Sequence, residues 1–137
     1  MARVKYTNAE VDLLARLIKS EALGEGDEGM LLVGNVVVNR VNARCDVFRN
    51  LRTITDVVYQ QNAFAGVDTP IFNQGVNARE RKLAMRAIEN YRNEPAYNAL
   101  LFKNPGINVV CPDEFFGTLS GRYQQHCFYN PPENCEI

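Results

Sequence analysis

The chain has 137 residues, with 15 Lys and Arg against 16 Asp and Glu, a formal net charge of −1 and 46% hydrophobic content. That length accommodates one domain with one core, so residues 1–137 are read as a single unit. Charges of both signs are interspersed, which argues against the basic footprint of a nucleic-acid binder. No apolar run approaches the roughly 18 residues that a membrane span requires.

The first residues run into a capped helix without an apolar stretch, which reads as a chain made without a secretory signal. Thr7-Asn8-Ala9-Glu10 is a capping box, in which the Thr7 hydroxyl accepts from a backbone N–H and Glu10 reaches back. A helix is predicted from about residue 8 to about Leu23, with Val11, Leu14, Ala15, Ile18 and Ala22 on one face. Gly24 is expected to take the left-handed conformation just past its end, with Gly26 loosening the segment after it. Glu21 falls in the last turn, at the border of the apolar face. Partial burial there would disfavour its ionised form and raise its pKa, which equips a glutamic acid to donate a proton near neutral pH. On spacing alone the competing reading is a solvated helix flank.

Residues 30–41 are rich in valine, yet Met30, Val33, Gly34, Val37, Val38 and Val41 follow the i, i+3, i+4, i+7, i+8, i+11 pattern of a buried helix, with Asp27 as its expected cap. Gly34 in its middle costs about 1 kcal/mol against Ala and implies a closely packed neighbour, expected to be the first helix. Thr55-Asp56 is expected to cap a short turn through Val57, Val58 and Tyr59. The polar and aromatic segment Gln60-Gln61-Asn62-Ala63-Phe64 then reads as a surface or cleft lining. Residues 77–93 predict an amphipathic outer helix with Leu83, Ala84, Ala87, Ile88 and Tyr91 inward. Extended pieces at 99–103 and 126–129 predict a small antiparallel hairpin. The whole reads as a mostly helical α+β domain.

His126 is the single histidine, which argues against a catalytic zinc centre, where two or three usually serve. Cys45, Cys111, Cys127 and Cys135 lack CxxC spacing and are expected to be free buried thiols, with a disulfide in an oxidising location as the alternative. A thiol hydrolase would need Cys45, Cys111 or Cys135 to meet His126 after folding, because Cys127 would point to the opposite face of a strand. Neither a G-x-S-x-G elbow nor a P-loop nor a dinucleotide fingerprint is present. Glycosidic cleavage needs a general acid, for which Glu21 suffices, and usually a second carboxylate. Glu25, Asp27, Glu28, Asp113 and Glu114 are the candidates, although such loop carboxylates are ordinarily solvated. The alternative uses one carboxylate, first as acid and then as base, with a sugar hydroxyl as nucleophile.

Several blocks resemble the SleB/CwlJ family of spore cortex-lytic cell wall hydrolases, and specifically its short type. They are Leu14-Ala15-Arg16-Leu17-Ile18-Lys19-Ser20-Glu21-Ala22 with Gly24-Glu25 and Glu28-Gly29, then Gly34-Asn35-Val36 with Asn39-Arg40-Val41, Tyr59-Gln60, Ala63-Phe64, Phe102 with Asn104-Pro105, and His126-Cys127-Phe128-Tyr129. One departure is Gln61, where many members have proline. The resemblance implies a lysozyme-like fold, related to goose-type lysozymes and lytic transglycosylases. It also implies that Glu21 is catalytic and that Gln60, Phe64, Phe102, Asn104, His126 and Tyr129 line a glycan groove. The implied substrate is the peptidoglycan of spore cortex during germination, cleaved as a muramidase or lytic transglycosylase. An amidase and a non-catalytic coat or peptidoglycan-binding module are the competing readings. Delivery from the mother cell to the boundary of coat and cortex, a coat protein partner and activation by calcium dipicolinate are further implications. No carboxylate-rich loop identifies a calcium site, and no metal ligand is assigned.

Overall fold

A computed structural model describes residues 1–113 and 117–137. Its helices are α1 (Asn8–Ala22), α2 (Gly26–Asn42), α3 (Ile54–Val58) and α4 (Ala78–Glu89), followed by a three-stranded antiparallel sheet. In α1 the capping box forms as expected: Thr7 Oγ1 accepts the Glu10 N–H at 3.1 Å and Glu10 Oε1 accepts the Thr7 N–H at 3.2 Å. The other Glu10 oxygen accepts from the Thr55 backbone at 3.0 Å and its hydroxyl at 2.8 Å, fastening α1 to α3. Leu13 and Leu17 join the predicted apolar residues, so the buried face is wider than one stripe.

Beyond α1 a 3-10 turn, Leu23–Glu25, leads into α2. The left-handed φ of +74° falls on Gly26 rather than Gly24, because the extra turn moves the chain reversal two residues on. Consequently α2 starts before residue 30, and Asp27 lies inside its first turn, paired with Arg79 of α4 instead of capping. Every residue from Gly29 to Arg40 is buried, which makes α2 the central helix, packed by α1, α3 and α4.

Gly34 has a packing reason, but the close neighbour is α4. A Cβ there would meet Ala87 Cβ at 2.9 Å and Ile18 Cγ2 of α1 at 3.7 Å. Gly34→Leu is therefore expected to force α4 outward, cost about 3 kcal/mol and lower Tm by roughly 10 °C in a thermal melt. An unchanged Tm would show that the crossing tolerates the bulk.

The short helix α3 is capped by Thr53 with Asp56 completing the box, so Thr55 is not its cap. Asn77 caps α4, which ends at Asn90 in the left-handed region (φ 101°). Tyr91 therefore lies past the helix and is exposed instead of facing the core.

The strands are β1 (Leu101–Lys103), β2 (Thr118–Tyr123) and β3 (His126–Asn130), in the order β1-β3-β2. The expected pairing of β1 with β3 is present, Leu101 opposite Tyr129 and Phe102 opposite Phe128. β2, which the sequence reading lacks, covers the other edge of β3 with an irregularity between Leu119 and Gly121. His126, Cys127, Phe128 and Tyr129 are all buried, because the central strand is packed on both faces. His126 and Phe128 gather with Phe102, while Cys127 and Tyr129 lie with Cys111.

The expectation of free thiols is corrected. Cys45 is bonded to Cys135 and Cys111 to Cys127, with Cα separations of 4.5 and 5.8 Å, and no cysteine among the described residues is free. Packing draws each pair together from distant positions in the chain, a relation that spacing does not reveal. With all four sulfurs engaged, none is a thiolate that could pair with His126.

Candidate active site

Glu21 stands on the last turn of α1, half-buried, with Oε2 accepting the Gly66 N–H at 2.6 Å. Gly66 belongs to a 3-10 turn, Ala65–Asp68, which the Thr69 hydroxyl closes by donating to the Gly66 carbonyl at 2.7 Å. Side chains of α1 draw this segment onto the helix. Arg16 donates to the Phe72 carbonyl at 2.6 Å, with its guanidinium 4.3 Å from the Phe72 ring centroid, and Lys19 donates to the Gly75 carbonyl at 3.0 Å. A Cβ on Gly66 would collide with Glu21 Oε2 and Ser20 Oγ, so only glycine lets the N–H reach the carboxylate.

Burial pushes the Glu21 pKa up, while the Gly66 hydrogen bond and the charge of His126 act more weakly in the opposite direction. The result is a carboxyl that keeps its proton above the ordinary range, held in a fixed direction. Gly66→Ala is expected to displace the carboxyl and lower turnover roughly 100-fold, since shifts of about 1 Å can cost that much. Turnover measured beside the melting curve checks this; full turnover would show that the Gly66 contact is dispensable.

Next to this group lies a buried pair that the sequence reading does not anticipate. Glu25 Oε1 is 2.6 Å from His126 Nδ1, across 101 positions of sequence, and Oε2 accepts the Gln125 N–H at 2.9 Å. Residual exposure is 8% for Glu25 and 3% for His126, which corrects the expectation that Glu25 is a solvated loop carboxylate. With a carboxylate as acceptor, Nδ1 is the donor. Glu25 reaches this position because the 3-10 turn folds it back over α2, where Gly29 has no side chain to obstruct it. The His126 ring meets Phe102 edge-on with centroids 5.2 Å apart.

The predicted groove residues divide. Gln60, Phe64, Phe102 and His126 form a connected group: Phe64 lies 5.7 Å from Phe102, and Gln60 Oε1 accepts from Arg40 Nη1 at 3.0 Å, with the Arg40 guanidinium 4.8 Å from the Phe64 ring. Asn104 is exposed at the edge, accepting the Gly106 N–H at 3.1 Å and donating to Gln125 at 3.4 Å. Tyr129 does not line a groove. It is fully buried on the other face of β3 with Cys111 and Cys127, and its hydroxyl donates to the Pro112 carbonyl at 2.9 Å.

Of the other carboxylates, Asp27 pairs with Arg79, Glu28 accepts from Asn93 at 3.1 and 3.2 Å, Asp113 is exposed, and Glu114 lies outside the described residues. No group of three or more His, Cys, Asp or Glu is assembled among the described residues to hold a metal ion, and no helix among them is long and apolar enough to cross a membrane. Sequence reasoning missed Gly66, the Glu25–His126 pair and Arg40. For Arg40 a signal was available, a charged residue at the end of an otherwise apolar helical run.

Residues 24–129 match the family model described as Cell Wall Hydrolase. The chain belongs to this family. Glu21 lies just before the matched span, and Glu25, Arg40, Gly66 and His126 lie within it. Cell wall hydrolase CwlJ of Oceanobacillus iheyensis is 47% identical over 96% of this chain and 93% of its own length. The spore cortex-lytic enzyme of Bacillus subtilis is 32% identical over 73% of this chain, which corresponds to 31% of that protein. The crystal structure of the catalytic domain of Bacillus cereus SleB superposes with a TM-score of 0.73 at 24% identity, covering 95% of this chain and 98% of that one. The family assignment and the lysozyme-like α+β fold expected from the motifs both hold, and within the family the chain is of the CwlJ type.

Proposed function

We propose that this chain cleaves the glycan strands of spore cortex peptidoglycan during germination, with Glu21 as general acid and then general base. One observation carries the reading: a half-buried carboxyl of raised pKa whose Oε2 is fixed by the Gly66 N–H at 2.6 Å. Because Oε2 accepts that bond, the proton resides on Oε1. Its transfer to the glycosidic oxygen releases the leaving sugar through an oxocarbenium-like transition state. The carboxylate left behind keeps its Gly66 donor, which steadies the new charge. It then takes a proton from the attacking group.

Glu25 is engaged by His126 and the Gln125 N–H, and Asp27 and Glu28 have partners of their own. These engagements favour the one-carboxylate route, in which the C6 hydroxyl of the muramic residue, or a water, attacks. The name of the Bacillus subtilis relative, spore cortex-lytic enzyme, supports the cortex as substrate and the spore as location, and that of CwlJ supports the cell wall. By the family resemblance the chain works at the boundary of coat and cortex with a coat protein partner, and calcium dipicolinate acts as the trigger.

Mass spectrometry of muropeptides released from decoated spore cortex, for the parent and Glu21→Gln side by side, tests the proposal. Anhydro-ended or reducing muramic fragments that vanish in the variant support it and name the bond type. Release of stem peptides without glycan scission replaces it with an amidase, and unchanged turnover in the variant removes Glu21 from the mechanism.

A further inference from the structure

Arg40 is 4% exposed, yet no carboxylate among the described residues forms an ion pair with it. Its partners are neutral. Nε donates to the Leu100 carbonyl at 2.6 Å, Nη1 to Gln60 Oε1 at 3.0 Å, and the guanidinium faces the rings of Phe64 at 4.8 Å and Phe48 at 5.4 Å. Burial lowers its pKa to about 10, the mark of a cation stripped of water without a counter-ion. A charge buried in this way without a counter-ion is expensive. Inside the fold two aromatic rings face the positive charge, and no anion among the described residues neutralises it.

It does have an opening. Arg40 forms the inner wall of a cavity of about 290 Å³, whose rim includes Gln60, Gln61, Asn62 and Phe102. Phe102 is also the ring that touches His126, and the rim residues 60–63 lead on within three positions to Gly66, whose N–H meets Glu21. The cavity and the candidate acid are therefore linked by one short segment and by the Phe102–His126 contact.

We infer that the Arg40 cavity is a subsite for a carboxylate carried by the peptide substituents of the glycan strand. The guanidinium has N–H donors beyond the two in use, and its planar fork suits a carboxylate. Phe102 and Phe48 provide low-dielectric walls that strengthen the attraction. This subsite rests on the glycan reading above and makes it more specific: muramic residues bearing a peptide with a free carboxyl are preferred to those without one.

The test is an NMR titration of the Glu21→Gln protein with N-acetylmuramoyl-L-alanine and, separately, with its C-terminal amide. Since this variant cannot transfer the proton, the titration reads binding without turnover. The acid is expected to bind roughly tenfold more tightly than the amide, as a charge-assisted hydrogen bond would give. Adding Gln60→Glu supplies Arg40 with an isosteric internal counter-ion. That second variant is expected to melt no lower than Glu21→Gln and to bind the acid and the amide within about twofold of each other. Equal binding of the two probes to Glu21→Gln, no binding of either, or a preference that survives Gln60→Glu would each overturn the subsite. Those outcomes leave the muropeptide result intact, whereas absence of glycan scission in that experiment removes the reading on which the subsite rests.

Discussion

Glu21→Gln is expected to abolish glycan cleavage to within about one part in a thousand of the parent rate while leaving the fold intact. General acid catalysis by a placed side chain is worth about 100- to 10,000-fold, and in the proposed mechanism the same group serves twice. Glutamine keeps the size of the side chain, and its carbonyl oxygen can still accept the Gly66 N–H that Oε2 accepts at 2.6 Å in the parent. What it loses is the transferable proton. The raised pKa of Glu21 also sets the pH behaviour. The acid must start protonated, so activity should fall as pH rises through that raised value. Stability is linked with the same sign. The unfolded chain releases this proton in the ordinary carboxylate range and the folded chain holds it to higher pH, so in that window the unfolded state binds fewer protons and folding stability declines as pH rises. Glutamine has no such decline. The variant should therefore melt at or above the parent at neutral pH, with the difference shrinking below about pH 4. A variant that melts well below the parent at neutral pH would contradict the burial on which the pKa argument stands.

The second large effect concerns stability. His126→Ala would leave Glu25, 8% exposed, with the Gln125 N–H as its remaining side-chain partner beside the space vacated by the imidazole. Removing the hydrogen-bond partner of a buried carboxyl and leaving a cavity beside it typically costs about 3 kcal/mol or more, so Tm is expected to drop by roughly 10 °C or more. Glu25→Leu with His126→Phe replaces both partners by apolar groups and is expected to recover most of the loss, because no unpaired charge remains. Denaturant unfolding of the parent, the single variant and the double variant measures both terms. If the single variant were as stable as the parent, the pair would not be buried in solution.

Legibility in the sequence tracks how local the deciding interaction is. The start of α1 can be read from Thr7 and Glu10, because a capping box is complete within four residues. Glu21 can be placed on the border of an apolar face from helical periodicity alone. Its Gly66 donor cannot, because that contact joins positions 45 apart through a loop pinned by Arg16 and Lys19. Glu25 looks solvated because it follows a helix, and only the return of the β2–β3 turn buries it. The strand residue Tyr129 shows a different limit. When a strand is buried on both faces, alternation survives but no longer says which face meets the substrate, so a reading that lines one groove with both His126 and Tyr129 fails where the pleat and the register divide them. β2 escapes notice because Thr118, Ser120 and Gly121 give it little apolar character, and pairing with β3 determines its state.

The two disulfides also govern what happens to a broken chain. Cys45 and Cys135 span 90 positions, and the Cys111–Cys127 link is nested inside that span. A single cut anywhere between residues 45 and 135 therefore leaves one covalent molecule, including cuts in the exposed stretch around Ile107 and Val110. Nicked protein would run as a single full-length band on a gel until a reductant is added, and would carry the Glu21 helix and the His126 strand together through attack by a protease.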